Sequence, residues 1–344
     1  MTLRSGKLPP AQLDELLRTV VHRDPRVLVG PAVGRDAAVI DLGGGRLLVA
    51  KTDPVTFATE HIGWYAVHVN ANDVACMGAR PAWFMASALL PPGAPDTLPA
   101  SIFAQLREAC EELGVELVGG HTEVTVGLDR PIIAGTMLGE ASPDEIILGQ
   151  DIAPGDTLLL TKGVAIEGTA LLAREAAAQL IAAGLDRATI GRARELLFRP
   201  GISVVRDAAA LCAALRPRLL HDPTEGGVAT ALFEMAAATG MTLRIEGDAI
   251  PVLDETRAVC EALGLDPLGL LASGALLAIV PEPDGGTALA ALSDAGVEAR
   301  RIGAVESGGP KVIMGAGRRA RPFPAFARDE LARFFEAADG AQHE

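Results

Sequence analysis

Five short polar stretches interrupt otherwise apolar segments of this 344-residue chain. Because burying a charged group without a partner is costly, chemistry is expected where carboxylates interrupt apolar runs. The stretches are, in chain order, Asp36; Asp53; Asn70, Asn72 and Asp73; His121, Thr122 and Glu123; and Asp222, Thr224 and Glu225. Mg²⁺ prefers hard oxygen ligands and commonly bridges one or two carboxylates to the phosphates of a substrate. The residue types therefore indicate a site for Mg²⁺ and a phosphate compound.

The positions of these residues within the predicted elements favour the same chemistry. Asn70 and Asp73 lie three apart in a predicted helix, so they share one face and can reach a common ligand. Asp53 ends a predicted strand, which is a usual position for ligand groups in α/β sheets. The sequence HDPTEGG, residues 221–227, is typical of a helix N-terminus, with Thr224 as a possible cap and backbone N–H groups facing phosphate.

Structural roles stay open for several of these residues. Asp36 also fits the start of a turn, Asp222 an ordinary helix cap, and His121, just after a predicted strand, a satisfied hydrogen-bonding side chain. Asp73 fits a structural role least well, because it lies in the middle of a helix among Val, Ala, Cys and Met. The sequence contains neither GxxxxGK[ST] nor GxGxxG, so the common nucleotide-binding folds gain no support.

Alternating strand-like and helix-like segments predict an α/β or α+β architecture. The first half contains predicted strands at 37–42, 46–53, 82–91, 115–120 and 131–141, and predicted helices at 62–78 and 101–114. The second half contains predicted strands at 157–163, 241–252 and 275–280, and predicted helices at 166–183, 226–240 and 254–264. Gly43-Gly44-Gly45 predicts a hairpin between the first two strands. Pro and Gly residues between the halves place a domain boundary near residue 152, which divides 1–152 from 153–344.

The composition argues against several classes of function. A net charge of −14 argues against a protein that binds nucleic acid non-specifically, since phosphate backbones need a basic surface. The first residues, MTLRSGKLPP, lack the apolar core of a signal peptide, and no uncharged run reaches the roughly 18 residues of a membrane span. The four cysteines form no CxxC pair, and each is predicted to be buried in an apolar helix. We expect a soluble cytoplasmic protein that binds neither nucleic acid nor membranes.

Five motifs, in this order, make the chain resemble a known superfamily. They are GRDAAVI (34–40), VAKTD (49–53), NANDVACMGARP (70–81), LVGGHTEV (117–124) and HDPTEGGVATALFEMA (221–236). The same order is found in the PurM-like ATP-binding superfamily, which includes aminoimidazole ribonucleotide synthetase, thiamine monophosphate kinase, selenophosphate synthetase and HypE. The resemblance spans nearly the whole chain and is strongest to the HypE-like, AIR synthase-related proteins.

The resemblance implies an α/β plus α+β fold of two domains. The N-terminal domain would dimerise through its sheet into a barrel-like core, and ATP would lie in the cleft between that domain and the C-terminal α+β domain. Asp36, Asp53, Asp73 and Asp222 match positions that bind Mg²⁺ and phosphate. The resemblance also implies that the nucleotide is contacted by Asn72, Gly119, Gly120, Thr122, Gly226 and Gly227.

Departures from the motifs narrow the choice within the superfamily. Arg35 stands where kinase-like sequences carry the first aspartate of GDDAA, and His121 stands where they carry GGD, so a kinase is disfavoured. The GGHT segment is similar to selenophosphate synthetase, as is the glycine- and lysine-containing stretch around Lys7. No cysteine precedes Cys76, however, so the nucleophile of that family is missing. Lys7 fits either a phosphate-neutralising role or a solvated tail.

HypE acts through a C-terminal Pro-Arg-Ile-Cys tail whose thiol carries a carboxamide that ATP helps to dehydrate. This sequence has no cysteine after Cys260. We therefore expect an ATP-dependent enzyme that transfers the γ-phosphate to an amide or carbonyl oxygen of an unidentified small-molecule or protein acceptor, with His121, Glu123 and Lys7 as catalytic candidates. Two alternatives are a nucleotide-binding regulatory protein without turnover and a hydrogenase maturation factor that uses a partner's cysteine.

Overall fold

The computed structural model describes Leu8, residues 10–32, Gly34, residues 36–317 and residues 320–342. These residues form two compact units. The N-terminal unit is Asp14–Ile146, and the C-terminal unit comprises Ile147–Glu344 with Met1–Leu13, as far as these residues are described. A first helix, α1, spans Pro10–Leu17. The catalytic candidate Lys7 lies outside the described residues.

The N-terminal unit is built on a six-stranded mixed sheet with the order β1-β2-β3-β6-β4-β5. Its strands are β1 (Val27–Val29), β2 (Ala38–Gly43), β3 (Arg46–Val55), β4 (Arg80–Leu90), β5 (Glu116–Val124) and β6 (Ile132–Ala141). Neighbouring strands are antiparallel except β4 and β5, which are parallel. The predicted hairpin between β2 and β3 is present, and Gly43, Gly44 and Gly45 all adopt the positive φ angles that such a turn requires.

Two helices, α2 (Ile62–Cys76) and α3 (Leu98–Leu113), belong to this unit. Helix α2 contacts β3, β6 and α3, and nearly all of its side chains are buried. A methyl group at Gly135 of β6 would collide with Asn70 Nδ2 and approach the Phe84 ring, and one at Gly139 would collide with Val74. Small residues on β6 therefore let α2 lie directly against the sheet.

The C-terminal unit is built on a seven-stranded sheet with the order β13-β12-β9-β11-β7-β10-β8. Its strands are β7 (Thr157–Thr161), β8 (Leu219–His221), β9 (Thr242–Ile245), β10 (Leu277–Val280), β11 (Ala299–Glu306), β12 (Lys311–Met314) and β13 (Arg321–Pro322). Its helices are α4 (Ile166–Glu175), α5 (Ala177–Ala182), α6 (Arg187–Glu195), α7 (Val205–Ala214), α8 (Gly227–Thr239), α9 (Asp254–Leu263), α10 (Gly285–Asp294) and α11 (Glu330–Gln342). A hydrophobic core forms between the sheet and α8, where Val228, Leu232 and Met235 belong to the same cluster as Leu158 and Leu160 of β7.

The two-domain α/β plus α+β class is confirmed. Among the described residues both sheets are open and end in edge strands, and the barrel-like core, which requires a second chain, stays a prediction. Several predicted element boundaries are wrong. Strand β5 continues to Val124, so His121 lies inside a strand instead of after it. The predicted helix 166–183 is divided into α4 and α5 at Ala176, and the predicted strand 241–252 is shortened to β9.

The cysteines follow the burial prediction with one exception. Cys76, Cys110 and Cys260 are buried, whereas Cys212 is exposed on α7. The amphipathic pattern of α7 places Leu211 in the core and its neighbour Cys212 outside. In the described parts of the chain, we find no helix with the length and apolar character needed to cross a bilayer.

The close approach of α2 to β6 yields a stability prediction. Gly135→Ala inserts a methyl group against Asn70 and Phe84, so we expect it to lower the free energy of unfolding by about 1–3 kcal/mol. Urea denaturation followed by circular dichroism measures this change. Gly286→Ala on α10, where an added methyl group meets no atom within 4 Å, is the matched control and should not destabilise. Equal stability of Gly135→Ala and the native chain would contradict the packing argument.

Candidate functional site

The centre of the N-terminal unit's candidate site is a lysine between two aspartates. Lys51 and Asp53 lie two apart on β3, so their side chains leave the same face of the strand. Helix α2 brings Asp73 to this face. Lys51 Nζ lies 3.0 Å from Asp73 Oδ2 and 3.6 Å from Asp53 Oδ2. The Asp73 side chain is only 4% exposed, against 18% for Lys51 and 35% for Asp53, so the cluster opens to solvent on the Asp53 side.

Electrostatics keep this lysine charged. Burial opposes the positive charge of Lys51, but the carboxylates of Asp73, Asp53 and Asp36 outweigh it and hold the pKa of Lys51 well above its ordinary value. Asp36 therefore acts on the same group as Asp53 and Asp73. The hairpin of β2 and β3 thus has an aspartate near its start and another near its end, and both influence one buried cation.

The asparagines of α2 differ from the aspartate in their role. Asn70 Nδ2 donates hydrogen bonds to the backbone oxygens of Asp53, at 3.2 Å, and Ala66, at 2.8 Å. Asn70 thereby ties α2 to the strand that carries Asp53, and a ligand shared by Asn70 and Asp73 stays a prediction. Asn72 is completely buried. The polar residues of α2 therefore have two roles. Asp73 supplies one of the two carboxylates, and Asn70 helps to position the other, Asp53.

The strand β5 carries a second group of candidates at the sheet edge. His121 Nε2 lies 3.1 Å from Glu123 Oε2, and both side chains are well exposed. Thr122 alternates with them and projects from the opposite face of the strand. Gly120 has a φ of 150°, and a side chain there would collide with the backbone oxygen of Ala86 on β4. Glycine is therefore required at position 120 for a structural reason, because β4 and β5 pair closely there.

In the C-terminal unit, the predicted phosphate-facing helix start is organised differently. Gly226, at φ 83°, is the N-cap of α8, so the prediction of Thr224 as the cap is wrong. The N–H of Gly226 donates to Asp329 Oδ2 at 2.5 Å, and the N–H of Gly227 donates to the backbone oxygen of Thr224 at 3.0 Å. The prediction that these two N–H groups are free for phosphate is therefore also wrong. Asp222 is almost fully buried nearby.

Two carboxyl groups near this helix start were missed by the sequence analysis. Burial raises the pKa of Glu167, in the first turn of α4, to about 8, and the charges of Glu225, Asp329 and Asp222 add to that effect. Burial also raises the pKa of Asp329 to about 6. The signal was present for Glu167, since it is an acidic residue within the apolar run VAIEGTALL. Lys51 was missed in the same way, as a cation within the apolar strand that ends at Asp53.

A buried ion pair lies at the end of β7 in the C-terminal unit. Lys162 Nζ is 3.0 Å from Asp207 Oδ2 and donates to the Ser203 backbone oxygen at 2.6 Å. Thr161 Oγ1 donates to the same Asp207 oxygen at 2.7 Å. Burial lowers the pKa of Lys162 despite the neighbouring carboxylate. These contacts join β7 to α7, and we interpret them as structural.

The donor set permits Mg²⁺ but is not a preformed metal cage. Within the residues that the structure describes, no group of three or more His, Cys, Asp or Glu side chains is arranged to hold a metal ion. Asp53 and Asp73 nevertheless fit the usual role of protein ligands to Mg²⁺, which takes one or two carboxylates and completes its shell with waters and phosphates. Asp36 lies near enough to affect Lys51, whereas Asp222 belongs to the C-terminal unit.

Comparison with known protein families identifies both halves of the chain. Residues 34–141 match the N-terminal domain of AIR synthase related protein, and residues 153–315 match its C-terminal domain. This chain belongs to the AIR synthase-related family.

Individual relatives point to one branch of the AIR synthase-related family. The carbamoyl dehydratase HypE of Cupriavidus necator is 33% identical over 292 residues, which cover 82% of this chain and 79% of the relative. A crystal structure of the hydrogenase maturation protein HypE in complex with ATP has a TM-score of 0.66 and 27% identity, and the match covers 96% of this chain and 98% of that one. A crystal structure of a HypE–HypF complex matches with a TM-score of 0.69 and 25% identity, over 86% of this chain and 94% of the other.

The buried carboxyl of Glu167 predicts how the stability of this AIR synthase-related protein depends on pH. Its pKa is about 8 in the folded protein against an ordinary value of 4.5. Between these pH values the folded chain retains a proton that the unfolded chain has lost, so stability should fall as pH rises through this window. Glu167→Gln removes the proton exchange and should flatten the decline. The measurement is the free energy of unfolding in urea at pH 5.5, 7.0 and 8.5.

An exposed glutamate provides the control for this pH series. Glu282→Gln, at a surface position in the C-terminal unit, should keep the pH dependence of the native chain. Glu167→Gln and the native chain losing stability to the same extent over the series would show that Glu167 is ionised in the folded protein.

Proposed function

We propose that this chain is an ATP-dependent enzyme of the HypE class that transfers the γ-phosphate of ATP to an amide or carbonyl oxygen of an acceptor. The observation that carries the proposal is the cluster of Asp53 and Asp73 around Lys51, because a folded chain does not hold buried carboxylates without cost. Two comparisons support it. A relative at 33% identity is named a carbamoyl dehydratase, and a HypE of closely similar fold was crystallised with ATP.

The proposed roles follow from where the residues lie. Asp53 and Asp73 would hold Mg²⁺, with Asp36 assisting, and Mg²⁺ would neutralise charge on the phosphates. Asn70 would fix the position of Asp53 through its backbone oxygen. We propose Asn72, Gly119, Gly120 and Thr122 as further nucleotide-binding residues. In the reaction, the acceptor oxygen forms a bond to the γ-phosphorus while the bond from that phosphorus to ADP breaks.

The exposed pair of His121 and Glu123 would serve the acceptor. His121 can orient the acceptor or relay a proton, and Glu123, 3.1 Å away, can hold the ring in one orientation. Lys7 stays a candidate by sequence alone. The acceptor itself would be a small molecule or a protein group that carries an amide or carbonyl oxygen.

The chemistry of two buried cysteines bears on a second candidate function, hydrogenase maturation. Burial raises the pKa of Cys110 and of Cys260 to about 12, so neither is a reactive thiolate at neutral pH. We therefore propose, as the second candidate, a hydrogenase maturation factor whose acceptor thiol comes from another protein. The existence of a HypE–HypF complex shows that a relative of this fold does bind a partner protein.

We further propose a cytoplasmic homodimer with a domain boundary near residue 152. Among the described residues, the edge strand β5 pairs only with β4, and it exposes Val118 and Val124 on one face, which offers apolar side chains next to an open edge to a second copy of the chain. The net charge of −14 supports the absence of a nucleic-acid partner.

A product-resolved ATP assay tests the enzymatic proposal. With Mg²⁺ and ATP we expect slow release of ADP and phosphate, and we expect Asp53→Asn to reduce this rate about 100-fold because it removes a carboxylate next to the transferred phosphate. Asp96→Asn, an exposed position before α3, is the matched control and should keep the native rate.

Each other outcome of the assay selects a different function. AMP with phosphate would indicate chemistry similar to selenophosphate synthetase. No turnover, with ATP raising the melting temperature, would favour a nucleotide-binding regulatory protein. No turnover and no binding would show that the aspartate cluster is not a nucleotide site.

Light scattering tests the dimer. The native chain should have twice the 35.5 kDa mass of one chain. Val118→Asp places a charge on the exposed face of β5 and should produce a monomer, whereas Val21→Asp, at a more exposed valine elsewhere in the N-terminal unit, should not. A native chain that elutes as a monomer would overturn this part of the proposal.

A further inference from the structure

The buried lysine of the N-terminal unit does more than form an ion pair. Asp73 is almost fully buried in the last turn of α2, not in the middle of the helix as the sequence predicted, and such a carboxylate needs a compensating charge. Lys51 Nζ supplies that charge at 3.0 Å. The same ammonium group also faces Asp53 Oδ2 at 3.6 Å, so one cation serves both carboxylates.

The two carboxylates that Lys51 contacts are those to which the proposed function assigns Mg²⁺. The lysine and the metal therefore need the same two carboxylate groups. A divalent ion bound between Asp53 and Asp73 while Lys51 stayed in place would lie within a few ångströms of an ammonium group of like charge, which is strongly unfavourable where solvent screening is weak. Lysine and metal can occupy this position only in turn.

The position of Lys51 allows such an exchange. Its ammonium group is a compact charge at the end of a flexible four-carbon chain, and the side chain keeps some exposure. The contact with Asp53, the more exposed carboxylate, is also the longer of the two. A metal ion that enters beside Asp53 would therefore displace the lysine toward solvent and toward any bound phosphate.

The geometry points to Lys51 as a tethered cation that holds Asp53 and Asp73 together in the nucleotide-free protein and competes with Mg²⁺ for these carboxylates. The inference rests on the proposed function, because it takes these two residues as metal ligands. It predicts that the protein binds divalent metal weakly by itself and more tightly when the phosphates of a nucleotide provide an alternative partner for the lysine.

Metal titration without nucleotide tests this inference directly. The probe is Mn²⁺, whose free concentration is read by electron paramagnetic resonance. Lys51→Met removes the competing charge with a side chain of similar length, and we expect it to bind Mn²⁺ at least 10-fold more tightly than the native chain. Lys51→Arg keeps the charge and should bind as weakly as the native chain. Lys311→Met, an exposed lysine on β12 of the C-terminal unit, controls for the loss of a positive charge elsewhere.

Thermal melting provides a second readout that does not need binding to be tight. In EDTA, Lys51→Met removes the positive charge that Lys51 places beside Asp73 and Asp53, so the melting temperature of the variant should fall by about 5–10 °C. Millimolar Mg²⁺ should restore most of this loss, since it replaces the missing charge, and should change the native melting temperature little. If Lys51→Met is destabilised and Mg²⁺ restores nothing, Lys51 is a structural ion-pair residue and the inference is wrong.

The two proposals fail in different ways. Native turnover of ATP that depends on Asp53, combined with unchanged Mn²⁺ binding by Lys51→Met, would overturn the tethered cation and leave the enzyme in place. Tighter Mn²⁺ binding by Lys51→Met without any ATP turnover would retain the tethered cation and overturn the enzyme.

Discussion

The packing of α2 against the sheet of the N-terminal unit is the constraint on which the candidate site depends. Only because β6 has glycine at the contact can the helix come close enough for Asn70 to donate to the Asp53 backbone and for Asp73 to reach Lys51. Asp53 and Asp73 are therefore positioned by a strand and a helix that pack against each other. Placement by a helix and a strand is more exact than placement by loops, which suits a site that must hold metal and phosphate.

The two units balance charge in different ways. In the N-terminal unit, buried Asp73 is compensated by a lysine, and that lysine consequently stays charged. In the C-terminal unit, Glu167 and Asp329 lie among other carboxylates, and burial raises their pKa values instead. Asp329 also accepts the backbone N–H of Gly226. The C-terminal unit also contains the buried Lys162–Asp207 ion pair. The two candidate sites therefore differ: one presents a lysine between two carboxylates, and the other presents carboxyl groups that can take up protons near neutral pH.

Periodicity was sufficient to predict β2 to β6 and the helices α2 and α3, because alternation and glycine-rich turns are local signals, but the three-residue strand β1 was missed. Tertiary contacts decided the rest. His121 was placed after a strand because two glycines precede it, yet Gly120 serves the pairing of β5 with β4. The break at Ala176 has no Gly or Pro to mark it. The sequence analysis missed Lys51 and Glu167 because each is a single charged residue in an apolar segment. The groups that interact with such a residue can be identified only in the folded structure.

The candidate site has two parts that differ in how strongly packing constrains them. Asp53 and Asp73 are fixed by packing between α2 and β3, so the part of the site proposed for ATP is a property of the fold itself. His121 and Glu123 stand exposed on an edge strand, where substitutions disturb little of the core. A scaffold of this kind can keep one phosphoryl-transfer chemistry while the acceptor differs between family members. Because two of the buried cysteines have strongly raised pKa values, a thiol acceptor would have to come from outside the packed core.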